Sequence, residues 1–186
     1  TNIVSFTAGA GSSNSSGTVN LTTQTGGGTI NMNAASGDYK INGQGGVDSL
    51  TGGGGADIIN GGANADNISG GNGDDVLSGG ADNDSLTGGA GTDTFKVDVG
   101  TDTITDLGGA SGGETDVLIV SAGATANATN ITSFTADSST SNSGTANLTT
   151  KVGGGTIDIG NSTTGAYSLT GSVSYTHLTL PTTWRV

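Results

Sequence analysis

From Leu50 onward a large apolar residue recurs at every ninth position: Leu50, Ile59, Ile68, Leu77, Leu86 and Phe95. Two residues ahead of each stands an aspartate: Asp48, Asp57, Asp66, Asp75, Asp84 and Asp93. Glycine fills most of the first two places of the units this spacing defines. Residues 43–96 therefore read as six tandem nonapeptides, GQGGVDSLT, GGGGADIIN, GGANADNIS, GGNGDDVLS, GGADNDSLT and GGAGTDTFK. A repeat of fixed period has to be read before any local motif. Paired glycines let the backbone enter positive φ and turn tightly. The next residues continue the turn as far as the carboxylate. The last three are expected to form a very short strand whose middle residue points inward, since strand side chains alternate faces. Two such units make one coil of about eighteen residues, with a strand on each side and turns at both edges.

This pattern resembles the GGxGxDxUx nonapeptide of the RTX (haemolysin-type) calcium-binding repeats. The resemblance implies an all-β fold, a calcium-bound parallel β-roll flanked by strand-rich β modules, with Ca2+ held between successive turns on the same edge. Asp48, Asp66 and Asp84 would then line one edge, and Asp57, Asp75 and Asp93 the other. The side chains of these six aspartates are the expected metal ligands. They would be joined by turn carbonyls of Gly52, Gly54, Gly61, Ala63, Gly70, Asn72, Gly79 and Ala81. Three turns per edge leave two gaps on each, hence about four sites. Gln44 replaces the second glycine of the first unit, the weakest of the six. Asn64 and Asp82 replace glycine at place four, a mild change because Asn and Asp tolerate left-handed backbone. One inward hydrophobe in nine residues is little burial for ordering a glycine-rich chain. The block is therefore expected to be largely disordered without calcium and to fold with it.

The flanks are strand-like. Ile3-Val4-Ser5-Phe6-Thr7, Thr18-Val19-Asn20-Leu21-Thr22 and Thr29-Ile30-Asn31-Met32 carry β-branched and apolar residues between Ser/Gly/Asn turns. Tyr39-Lys40-Ile41 is expected to cap the roll at its start. After the block, residues 100–107 resemble the GxDxIxDF segment that closes RTX blocks, with Leu107 in the aromatic place. Residues 114–120 read as a strand over the open end. Asp98, Asp102, Asp106 and Asp116 read as solvated or turn-capping, with a further ion site as the alternative. Residues 121–130 carry no structure signal and read as a linker. The opening of the chain then returns at an offset of 127 or 128. Ser133-Phe134-Thr135-Ala136 repeats Ser5-Phe6-Thr7-Ala8, and residues 144–150, 153–157 and 167–171 repeat residues 17–23, 26–30 and 39–43. The expected organisation is a strand-rich module at 1–42, the roll at 43–96, capping strands at 97–120, the linker, and a second copy of the module at 131–172. Residues 173–186 lack glycine and aspartate and hold the chain's only His177, Pro181, Trp184 and Arg185. Their start resembles a translated sequencing adapter, so they are expected to be a non-native tail; a native C-terminal strand is the alternative.

Composition narrows the function. Only 31% of the 186 residues are hydrophobic and 4% aromatic, with 37 glycines and a net charge of −12. Eight of the sixteen acidic residues lie within 43–96. Such a surface disfavours nucleic acid and anionic membrane and favours divalent cations. Cysteine is absent, excluding disulfides and thiolate metal sites. No apolar run is long enough to span a bilayer as a helix. No secretory signal is visible, and the chain opens on Thr1, so it reads as part of a longer protein. His177 in the tail completes no Ser-His-Asp arrangement, Gly52 to Gly55 lacks the Lys-Ser/Thr of a phosphate loop, and the nine-residue stacking of carboxylates points to cation binding over acid–base work. No enzyme is expected. The sequence reads as a calcium-binding structural module of a secreted bacterial surface or adhesin-like protein, its partners being calcium and further copies of the module. RTX resemblance further implies type I secretion. An accessory region of an RTX enzyme or toxin, and an ice- or glycan-binding module suggested by the Thr/Asn strands, are the alternatives.

Overall fold

The fold was read from a computed structural model that describes residues 4–9, 12, 19–108, 115–160 and 166–171. The 173–186 tail lies outside the described residues. Every regular element among them is a strand. Ahead of the nonapeptides come β1 (Ser5–Thr7), β2 (Val19–Thr22), β3 (Thr29–Asn31) and β4 (Tyr39–Asn42). The repeats form β5 (Ser49–Gly54), β6 (Ile58–Ala63), β7 (Asn67–Asn72), β8 (Val76–Ala81), β9 (Ser85–Ala90) and β10 (Thr94–Val97). After them come β11 (Thr101–Ile104), β12 (Val117–Val120), β13 (Thr125–Ile131), β14 (Ser133–Thr135), β15 (Ser141–Asn142), β16 (Thr145–Thr150), β17 (Thr156–Asp158) and β18 (Ala166–Thr170).

The strands wind as a solenoid. Odd-numbered strands from β1 to β13, followed by β16 and β18, form a nine-stranded sheet; even-numbered strands from β2 to β12, with β15, form a seven-stranded one. All named pairings are parallel, and within the block partners stand eighteen residues apart, as Leu50 to Ile68 and Ile59 to Leu77. That is the expected parallel β-roll with two nonapeptides per coil. Between the sheets runs a single file of inward residues, in which Leu50, Ile59, Ile68, Leu77, Leu86 and Phe95 are fully buried, continued by Ile30 and Ile41 before the block and by Ile104 and Leu118 after it.

Four expectations change. The strands of the block are mostly six residues long, because the residues at places two and three also pair across coils, Gly53 with Gly71 and Ala63 with Ala81. Tyr39-Lys40-Ile41 does not cap the roll: β4 lies between β2 and β6. Residues 97–120 do not close it either, since β11 carries β13 and β12 carries β15. The 121–130 stretch is not a linker, because Thr125–Ile131 is a strand of the large sheet with Ala126, Ala128 and Ile131 inward. Alanine serves there as the inward residue, a role its weak strand preference conceals. Beyond β13 a third ladder opens, β14 on β17.

Candidate metal centre

Each aspartate of the repeat sits immediately before its strand, where the chain comes out of the turn. This puts the carboxylate over the backbone of the coil before it. The Asp66 Oδ1 accepts from the Asp48 N–H at 2.8 Å, Asp84 from Asp66 at 2.8 Å, and Asp102 from Asp84 at 3.1 Å. On the other edge Asp75 accepts from Asp57 at 2.7 Å, Asp93 from Asp75 at 2.9 Å, and Asp116 from Asp93 at 2.9 Å. The ladders start from the Gly28 N–H, bonded to Asp48 at 2.6 Å, and the Tyr39 N–H, bonded to Asp57 at 2.7 Å. The two edges are thus populated by the aspartates expected on each.

Asp102 and Asp116, for which the sequence suggests solvated or turn-capping places with a further ion site as the alternative, are both fully buried and extend the ladders by one rung. Asp102 kept the nine-residue spacing after Asp93, which was the signal available. The glycine pair of its unit is replaced by Val97 and Asp98, which hid it. Asp116 is displaced to 23 residues after Asp93, so no fixed period finds it. Asp98 and Asp106 lie elsewhere. Asp106 accepts from the Gly88 and Gly89 N–H groups at 3.0 and 2.8 Å, and Asp98 from the Ser78 and Ser121 hydroxyls.

The second carboxylate oxygen is what marks the ladder. Oδ2 of Asp48, Asp57, Asp66, Asp75, Asp84 and Asp102 is buried with no hydrogen-bond partner. Leaving a charged oxygen dry and unpaired is costly. Burial accordingly pushes the carboxyls of Asp57, Asp66, Asp75, Asp93 and Asp102 from 3.8 up to about 7, with neighbouring aspartates adding to the rise. Asp48 and Asp84 move the same way, for the same first cause. In Asp116 the corresponding oxygen is occupied, accepting from the Gly108 N–H at 2.7 Å.

Glycine at place one keeps this pocket open. A Cβ on Gly52, Gly61 or Gly70 would strike the Oδ2 of Asp57, Asp66 or Asp75 and also the carbonyl oxygen of Gly70, Gly79 or Gly88, one coil on. Orphaned carboxylate and place-one carbonyl therefore converge on the same space. Thr23 adds a hydroxyl at the first unit, donating to the Gly43 carbonyl near Asp48. Of the other predicted backbone ligands, the place-three residues Gly54, Ala63, Asn72 and Ala81 stand in paired strands, Gly54 opposite Asn72 and Ala63 opposite Ala81. Gln44, Asn64 and Asp82 adopt φ of 67°, 75° and 79°, so all three departures from glycine keep the left-handed turn. Among the described residues no three His, Cys, Asp or Glu side chains gather as a metal cluster. The oxygens this space offers a cation are carboxylate and backbone carbonyl, which suits a hard ion such as Ca2+ that accepts both.

Residues 42–77 and 69–104 match the family of the RTX calcium-binding nonapeptide repeat, four copies in each match. No curated protein and no solved structure matched the chain. Residues 42–104 thus carry RTX calcium-binding nonapeptide repeats, a repeat that binds Ca2+.

Proposed function

We propose that the chain is a calcium-dependent structural module of a secreted or cell-surface, adhesin-like protein, and that its roll folds when it meets external calcium. The observation that carries this is the row of six buried carboxylate oxygens without partners. Without a cation the folded roll holds dry negative charge; with one, each oxygen gains a ligand bond and repulsion along the ladder is removed. Asp48, Asp57, Asp66, Asp75, Asp84 and Asp93 act as side-chain ligands, as does Asp102 on the extended ladder, whereas both oxygens of Asp116 are held by backbone N–H groups. Place-one carbonyls such as Gly61, Gly70 and Gly79 complete the shell. Four aspartates on one edge and three on the other leave three gaps and two, so about five ions are expected in place of about four. Type I secretion fits a chain that stays unfolded where calcium is scarce and folds where it is abundant. No catalytic role is assigned to it.

Circular dichroism tests the reading. In a calcium chelator the chain is expected to lose most of its strand signal and to recover it cooperatively in millimolar calcium. Identical spectra in the two conditions would refute calcium-driven folding. Asp102→Asn tests the extended ladder, because the amide keeps the Oδ1 acceptor and replaces the orphaned oxygen with NH2. Calorimetric titration is expected to count one calcium fewer in this variant, whereas Asp82→Asn, at an exposed turn position, leaves the count unchanged. An unchanged count in Asp102→Asn removes Asp102 from the ligands.

A further inference from the structure

The 128-residue repetition places the same sequence in two environments within one molecule. In the first copy Phe6 pairs with Ile30 and Thr7 with Asn31; in the second, Phe134 pairs with Ile157 and Thr135 with Asp158. The Thr29 N–H donates to Val4 and the Thr156 N–H to Thr132, the equivalent bond. Val19 stands opposite Tyr39 and Leu21 opposite Ile41, as Ala146 opposite Tyr167 and Leu148 opposite Leu169. The two copies share one internal register.

They differ in what covers them. Phe6 is 41% exposed and Phe134 1%; Val19 is 42% exposed and its counterpart Ala146 0%. Leu21 is only partly buried, whereas Leu148 is fully buried. In the second copy the cover comes from the preceding part of the chain. β16 pairs on its outer side with β13, Ala126 opposite Ala146 and Ala128 opposite Leu148, and Asn147 Nδ2 donates to Asn127 Oδ1 at 2.7 Å. The turn at Leu107 and Gly108 lies against Ser133 and Phe134, so closely that a Cβ on Gly108 would strike the Ser133 carbonyl. Among the described residues β2 has only β4 as strand neighbour and β1 only β3. The apolar residues Val4, Phe6 and Val19 are the exposed remainder.

We propose that this N-terminal face, β1 and β2, is a docking surface for another copy of the same unit, which presents its own equivalents of residues 107–108 and β13. The β13 equivalent pairs with the outer edge of β2, Ala126 opposite Val19, Asn127 opposite Asn20 and Ala128 opposite Leu21. The Leu107–Gly108 turn closes over Phe6. Unpaired strand edges with apolar side chains are templates for such addition. The sequence supplies the join: Thr129-Asn130-Ile131-Thr132-Ser133-Phe134 matches Thr1-Asn2-Ile3-Val4-Ser5-Phe6 at five of six positions. In units so joined one sheet runs on through β13 and β16 while the ladder of β14 and β17 starts beside it, and contacts stay between nearest neighbours. This inference rests on the calcium-folded roll proposed above.

The test is a tandem chain, residues 1–132 followed directly by residues 5–186, in millimolar calcium. The protein has no cysteine, so a single Phe6→Cys or Val19→Cys reports its own surroundings. Each is placed in the original chain and, separately, at the junction copy of the tandem. The expected result is thiol labelling at least tenfold slower at the junction than in the original chain, at both positions. Full reactivity at either position, in a tandem whose circular dichroism responds to calcium, overturns the docking proposal. Loss of the calcium response in the original chain would instead refute the folding proposal, so the two failures are distinguishable.

Discussion

Gly70→Ala is expected to lower the stability of the calcium-bound roll by about 3 kcal/mol or more, at the upper end of what a single added methyl does in a packed interior. The new Cβ would fall on the Asp75 Oδ2 and lie 2.7 Å from the Gly88 carbonyl oxygen and 2.8 Å from the Asp75 Cγ. Asp75 cannot step aside freely, since its Oδ1 is held by the Asp57 N–H at 2.7 Å and its own N–H is bonded to Asp93 at 2.9 Å. The Gly88 carbonyl belongs to a backbone already paired across coils. One methyl therefore disturbs a core coil and occupies the space where a carboxylate and a carbonyl would meet a cation. The calcium midpoint should rise together with the loss of thermal stability. Gly9→Ala is the control: nothing lies within 4 Å of its added Cβ, and stability should hold within about 0.5 kcal/mol. Equal stability of the two variants would mean that the place-one glycines do not shape the site.

In calcium-depleted buffer, the roll is expected to be better folded at pH 5 than at pH 8. The folded carboxyls of Asp57, Asp66, Asp75, Asp93 and Asp102 titrate at about 7, raised from 3.8 by burial first and neighbouring charge second. Between these values the folded chain binds more protons than the unfolded one, so stability falls as pH rises. The protonation contribution is fully present below about 3.8 and lost as pH passes 7. Calcium bound as proposed would reverse the preference, because it would take the ionised carboxylates and have to displace those protons. Apparent calcium affinity should climb from pH 5 to pH 8, with proton release seen as a buffer-dependent heat in calorimetry. An affinity flat across this range would show that the ladder carboxylates are not the ligands. A saturating ion at about 100 times its dissociation constant stabilises by about 2.7 kcal/mol per site, so several sites outweigh the protons at neutral pH.

Much of this was legible in the chain because the roll is periodic. Nine-residue spacing set the coil length, put alternate aspartates on opposite edges, and marked Leu50 to Phe95 as inward. It failed where the coil length changed. Partners stand 20 residues apart between β3 and β5, 23 between β10 and β12, and 24 between β11 and β13. No single period runs through such coils, and residues 121–130, with alanine inward, looked like a linker. Asp116 was lost to the same change of length, and Asp102 to the missing glycines of its unit.

The sequence by itself determined the pitch of the solenoid, its two aspartate edges, its apolar file and the 128-residue repetition. All are spacings along one chain, set by glycine turns and side-chain alternation. Only the tertiary structure decided which oxygens are dry, which flanking segments continue the coil, and that Phe6 is exposed where Phe134 is buried. Those depend on the backbone of a neighbouring coil 18 to 24 residues away, and burial is a property of what stacks on a residue, which its own local pattern does not contain.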